Sequence, residues 1–181
     1  TMNPVELGQG TFPLSEAATD RFAAMVNIGY LPPAEEEKLV KFDFKQVRLN
    51  PLLSKDRIIQ LRARINEQVF LHERLGKYIQ RLVAATRPYN PDTDWLQHSP
   101  SELVERGVDL GASPRAIICW SRLAKVWALL VHHRDLVYPE DIQELAPYVL
   151  GHRIWLGPHA ASHGLTPHVV IKDVVERVPI P

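Results

Sequence analysis

The strongest periodicity in the chain falls at residues 72–86. Leu75, Tyr78, Ile79, Leu82 and Val83 recur at helical spacing on one stripe and predict a helix from about His72 to Thr86. Before it, Ile58, Leu61 and Ile65 mark a helix from about Lys55 to Glu67. After it, a third helix is expected from Pro114 to about His132, its stripe made of Ala116, Ile117, Trp120, Leu123, Ala124, Trp127, Leu130 and Val131. Ser113 suits its N-cap and Pro114 its first position, where a backbone N–H is unpaired in any case. A fourth helix opens at Tyr138-Pro139-Glu140-Asp141, with its acids in the first turn, and stops near Gly151. Pro147 removes a backbone donor and is expected to kink or divide that helix. A last helical run covers about Val169 to Arg177.

The first 45 residues read differently. Pro13-Leu14-Ser15-Glu16 starts a short helix reaching about Phe22, and Met25-Val26-Asn27-Ile28 alternates like a short strand. Leu31-Pro32-Pro33 ends that strand and opens a helix through Glu35-Glu36-Glu37 to about Phe42. Residues 88–112 are rich in turn formers, with one short helical patch near Ser101 to Arg106. The organisation expected is therefore mainly α. Residues 1–31 read as the end of an α/β unit, and beyond them the pattern turns helical.

Composition narrows the function without naming it. Among 181 residues, Lys+Arg and Asp+Glu both total 21, so no net charge points to nucleic acid or to an anionic membrane surface. Apolar content of 45% suits a globular protein. No stretch approaches the ~20 apolar residues that span a bilayer, and no signal-peptide pattern opens the chain. Cys119 is the only cysteine, which fits a reducing cytosol. The sequence is dense from Thr1 onward and reads as a piece of something longer.

One residue stands against its local electrostatics. Arg115 lies in the first turn of the third helix, where the helix dipole disfavours a cation. An anion would want it there, and helix N-termini collect phosphate for the same reason.

Three separated stretches share one pattern: Thr1-Met2-Asn3-Pro4; Phe12-Pro13-Leu14-Ser15-Glu16-Ala17 continuing to Asp20-Arg21-Phe22; and Gly111 to Ala116. Together they resemble the MoxR group of AAA+ ATPases. Gly29-Tyr30, Tyr78-Ile79, Leu82 to Arg87, Pro139-Glu140-Asp141 and Val149 to Ile154 follow in the same order. The resemblance implies the C-terminal remnant of an AAA+ α/β core over residues 1–45, a helical lid over 46–155, and an extension over 156–181 packing back on core or lid. It implies roles for three residues. Asn3 resembles the sensor-1 residue that orients the attacking water, and Arg21 the arginine finger donated to a neighbouring subunit. Arg115 resembles the sensor-2 arginine, which reaches nucleotide in its own subunit. An arginine finger is worth about 10³- to 10⁵-fold in rate.

The same resemblance implies ATP and Mg²⁺ in the intact protein, a homo-oligomeric and hexameric ring, a cytoplasmic location and chaperone-like work on partner complexes, with von Willebrand factor A-type partners. The sequence departs from the family in having no Gly-x-x-x-x-Gly-Lys-Ser/Thr loop and no strand ending in paired acids. This chain alone is therefore expected neither to hold nucleotide tightly nor to hydrolyse it.

Blander readings stand beside these. A non-enzymatic helical interaction module is the rival class, and a nucleic-acid-binding helical domain is disfavoured by the neutral charge. Asn3 could serve only its turn, and Arg21 and Arg115 only surface pairs. His159 and His163 are spaced as helical metal ligands would be, but Pro158, Gly164 and Pro167 argue against a regular helix, and no Cys or acidic ligand joins them. No metal site is expected. His132-His133-Arg134 is read as complementing the negative end of the third helix, Trp120 and Trp127 as core, and Cys119 as a buried small apolar residue. Arg57, Arg62 and Arg64 read as a solvated helix face.

Overall fold

The computed structural model describes residues 14–89 and 100–181. Nine α-helices and one 3₁₀ turn (Phe44–Gln46) are found among them; the α-helices are α1 (Glu16–Thr19), α2 (Pro33–Leu39), α3 (Lys55–Gln68), α4 (Glu73–Ala85), α5 (Glu102–Gly107), α6 (Arg115–Leu130), α7 (Pro139–Leu150), α8 (Pro158–Ser162) and α9 (Pro167–Arg177). Local chemistry sets most of their starts. The Ser54 hydroxyl oxygen accepts from the Arg57 N–H at the head of α3, and Ser101 does the same for Val104 in α5. His72 Nδ1 accepts from the Arg74 N–H at the head of α4, a cap that its residue type does not advertise.

Packing is centred on α6. It lies against α7, α4 and α3, while α9 covers α7, α4 and α5. The buried surface of α6 is Ala116, Trp120, Ala124 and Ala128, a strict four-residue repeat. Three small residues let neighbouring backbones approach, and the one large residue, Trp120, donates its indole N–H to the Ile142 carbonyl at 3.1 Å. All five stripe residues of α4 are buried, as expected from their spacing. In α6 the stripe is narrower than expected. Leu130 and Val131 are exposed, Cys119 is only half-buried, and Ala128 takes the place they would have filled. In α3 only Ile65 is fully buried.

Two short strands, β1 (Val108–Leu110) and β2 (Trp155–Leu156), pair antiparallel, with Val108 opposite Leu156 and Leu110 opposite Trp155. Elements of two or three residues carry no readable period, and the sequence does not predict them. The expected strand at 25–28 is absent. That segment is irregular, and its attachment is a single bond from the Met25 N–H to the Tyr148 carbonyl, 2.8 Å, with no neighbouring strand among the described residues. α7 runs through Pro147 undivided. Residues 158–162 do form a helix, and the His159 and His163 rings meet edge to face at 4.3 Å.

The His132-His133-Arg134 run corrects another expectation. The side chains of His132 and Arg134 pair with carboxylates of α7, His132 with Glu144 at 3.1 Å, while their backbone N–H groups close the end of α6 on the Trp127 and Ala128 carbonyls. The fully buried Asp141 carboxylate receives Arg134 at 2.7 Å and the Tyr138 N–H at 2.7 Å, with the His132 Nε2 at 3.4 Å. Arg134 also lies over the Tyr138 ring, 4.0 Å from its centroid. Among the described residues, nothing before Ile65 is buried, whereas the core extends from Ile65 through Val174.

Candidate functional site

The turn entering α6 is anchored before the helix begins. The Ala112 N–H donates to the buried Thr86 hydroxyl at 2.9 Å, and Arg87 Nε donates to the Ala112 carbonyl at 2.9 Å. The end of α4 thereby fixes where Ser113, Pro114 and Arg115 emerge. Pro114 is the residue flanking the helix and Arg115 its first full member, one position later than expected. Ser113 keeps the capping work: its oxygen accepts from the Arg115 N–H at 3.2 Å.

The hydroxyl proton of Ser113 goes elsewhere. It faces both oxygens of Asp20, at 2.9 and 2.8 Å. Arg115 Nη1 lies 3.6 Å from the same carboxylate, an ion pair too long for a hydrogen bond, and its side chain is 57% exposed. Arg115 is thus held loosely at the positive end of α6, with room to turn toward an anion.

The tight partner of Asp20 is Arg153, just beyond α7. Its side chain is 0% exposed, and Nε donates to Asp20 Oδ1 at 3.2 Å. Nη1 donates to the carbonyls of Ala23, at 3.3 Å, and Val149. Nη2 donates to the carbonyls of Asp20, at 3.1 Å, and Phe22. A guanidinium has five N–H donors, and here all five have acceptors. His152 adds a bond from Nε2 to the Phe22 carbonyl at 3.0 Å. Burial holds that imidazole below the usual histidine range, against the pull of the Phe22 carbonyl and with help from the Arg153 charge.

Charge counting decides what the cluster can attract. One carboxylate faces two guanidinium groups and a helix N-terminus, so the neighbourhood remains positive after Asp20 is counted.

Of the three residues singled out from sequence, Arg115 joins this cluster. Arg21 is exposed in the turn after α1, directly following Asp20, and its guanidinium has no partner among the described residues. Asn3 lies outside the described residues. Sequence reasoning missed Asp20, Ser113 and Arg153 as a unit. Each sits within a stretch that carries the family resemblance, but nothing local pairs residues 133 positions apart. Among the described residues no three His, Cys, Asp or Glu side chains converge as a metal site requires.

Comparison with known proteins gives the cluster its context. The AAA lid domain family model matches residues 101–174. The chain is 36% identical over 184 residues to the uncharacterized protein YeaC of Bacillus subtilis, covering 100% of this chain and 52% of that relative. It is 34% identical over 186 residues to the chaperone MoxR1 of Mycobacterium tuberculosis, covering 100% of this chain and 46% of that one. Protein MoxR of Methylorubrum extorquens is 29% identical over 180 residues, with 94% and 51% covered. The crystal structure of a candidate ATPase from Cytophaga hutchinsonii superposes with a TM-score of 0.80 at 35% identity, over 99% of this chain and 52% of that one. The chain spans about half the length of the relatives it matches. The chain is similar to the MoxR-type AAA+ proteins and corresponds to the C-terminal part of these longer relatives, the end of the core followed by the helical lid.

Proposed function

We propose that the intact protein is a ring ATPase, and that this chain supplies the arginines that act on nucleotide from two directions. The observation that carries the reading is Arg115: a half-exposed guanidinium on the first turn of α6, loosely paired at 3.6 Å, in a neighbourhood that is positive overall. Those properties fit the phosphate end of a nucleotide bound in the same subunit. Arg21, exposed and unpaired among the described residues, fits a residue that works outside its own subunit. Asn3 is assigned to orienting the attacking water. No described residue is assigned to Mg²⁺.

ATP, when bound, supplies a phosphoryl group whose transfer spreads negative charge over its equatorial oxygens. Arg115 meets that charge from the lid, and Arg21 meets it from the adjoining subunit. A six-membered cytoplasmic ring with chaperone-like action on partner complexes, including proteins of the von Willebrand factor A type, follows from the family reading. The name of the M. tuberculosis relative supports the chaperone part.

The test is made in the full-length protein. Arg21→Ala and Arg115→Ala should each lower the turnover of ATP sharply, by about 10³-fold or more for the finger. Mixing with subunits whose own nucleotide site is inactivated should rescue Arg21→Ala, because those subunits still donate a finger. It should not rescue Arg115→Ala. Full turnover in both single variants would overturn the reading.

A further inference from the structure

We infer that Arg153 and Asp20 are positioning residues that make the Arg21 turn part of the lid, so that the arginine facing a neighbour's nucleotide moves with the arginine facing its own. The inference rests on the roles proposed for Arg21 and Arg115 and adds a coupling between them.

Two observations separate this arrangement from an ordinary surface contact. First, among the described residues the segment around Arg21 is held by polar contacts with the lid. Residues 20–25 contribute no buried side chain, and neither does α2 after them. Second, apart from Ser113 and Arg115, which meet the Asp20 carboxylate from the head of α6, those contacts all come from a short stretch around the end of α7. Arg153 holds the carbonyls of Asp20, Phe22 and Ala23 together with the Asp20 carboxylate. His152 holds Phe22 again, and Tyr148 receives the Met25 N–H. The backbone is therefore pinned immediately before Arg21 and at two residues immediately after it. α7 itself is locked to α6 through Trp120, Ile142 and the buried Asp141 cluster. A rotation of the lid carries Arg21 with it.

Arg115 is joined to the same carboxylate by the weakest of its contacts. When Arg115 turns toward phosphate, Asp20 still keeps Arg153 and the Ser113 hydroxyl, so the Arg21 turn stays attached. Only the exposed 3.6 Å pair is given up. Nucleotide in one subunit can thus reposition the finger offered to the next without breaking the buried part of the cluster. Arginine is required at 153: a lysine has three donors where five are used, and it lacks the planar fork that reaches both sides of Arg21.

Arg153→Lys tests this in full-length rings mixed so that each subunit has one task. The acceptor subunit carries Arg21→Ala and an intact nucleotide site. The donor subunit has an inactivated nucleotide site and contributes only its finger. A donor with Arg153→Lys is expected to restore about 10- to 100-fold less turnover than the unmodified donor, because ~1 Å of misplacement can cost ~10²-fold. In subunits that keep their nucleotide site, Arg153→Lys should leave the affinity for a fluorescent ATP analogue within about twofold, the scale on which a lid-borne Arg115 is undisturbed. Hydrogen exchange should quicken at the Met25 amide and stay slow in α6.

Asp20→Asn is the second variant, in case the lysine unsettles the lid. It keeps an acceptor for Arg153 but removes the charge, and its donor should also rescue poorly. Rescue by either donor equal to that of the unmodified donor, in a ring of normal thermal stability, overturns the coupling. If Arg21→Ala alone costs no activity, the proposed function fails instead, and the two failures are told apart by that single control.

Discussion

Gly111 shows how little freedom exists where the lid presents its arginine. A Cβ at this position would stand 2.4 Å from the Thr86 carbonyl oxygen and 2.8 Å from the Arg87 Cα, both backbone atoms that cannot step aside. Gly111→Ala should therefore push the turn away from α4, break the Ala112–Thr86 bond and cost about 1–3 kcal/mol in urea unfolding. His152 makes a second prediction at this scale, through pH. Its folded-state pKa is depressed by burial, so the unfolded chain binds the proton more readily. Stability from this residue is then intact above the unfolded value of about 6.5 and is lost as pH falls from there toward the folded value. His152→Gln places an amide N–H where Nε2 was and cannot titrate. Thermal midpoints of the wild type should fall more between about pH 7.5 and about pH 5.5 than those of the variant, and equal slopes would refute the assignment.

At the scale of elements, what the sequence revealed depended on how far a pattern reached. α4 was legible because a single face of Leu, Ile, Val and Tyr packs into the core, and all five predicted residues are buried. α6 was misread at its end because its contact surface is set by small residues. A stripe of Ala116, Ala124 and Ala128 around Trp120 is what close packing needs, yet alanine carries little hydrophobic signal beside Leu130 and Val131. Met25 to Ile28 alternates as a strand would, but alternation makes a strand only when another strand pairs with it. The Asp20–Arg153 cluster was illegible for a different reason, since its members meet only after α6 and α7 have packed. The Asp141 cluster illustrates the same limit. The acids at the head of α7 and the bases after α6 each look like answers to a helix dipole, yet they answer one another. Asp141→Ala leaves Arg134 facing an emptied buried site and the Tyr138 N–H without its acceptor. It should cost about 3–5 kcal/mol in denaturant unfolding, with Asp141→Asn costing less because the backbone bond survives.

The whole molecule divides by burial. From Ile65 to Val174 the chain encloses one core, whereas Tyr30, Leu49 and Leu52 are 100%, 91% and 94% exposed despite being apolar. On the proposed reading this outer surface continues the nucleotide-binding core of the longer protein, and it adds little to the lid's own stability. The consequence can be measured. The denaturant m-value follows the surface exposed on unfolding, and residues that bury little expose little more when the fold is lost. A chain of residues 54–181, which keeps the Ser54 cap of α3, should unfold in a single transition with an m-value close to that of 1–181. Its thermal midpoint should drop by about 3–6 °C, between the shifts that ~1 kcal/mol produces in domains of fewer than ~100 and more than ~150 residues. The direction follows from Arg153, which exchanges its ordered acceptors around Asp20 for water. An m-value that shrank in proportion to length would mean that residues 14–53 fold cooperatively with the lid. The attachment through Arg153 would then be only one part of a larger interface.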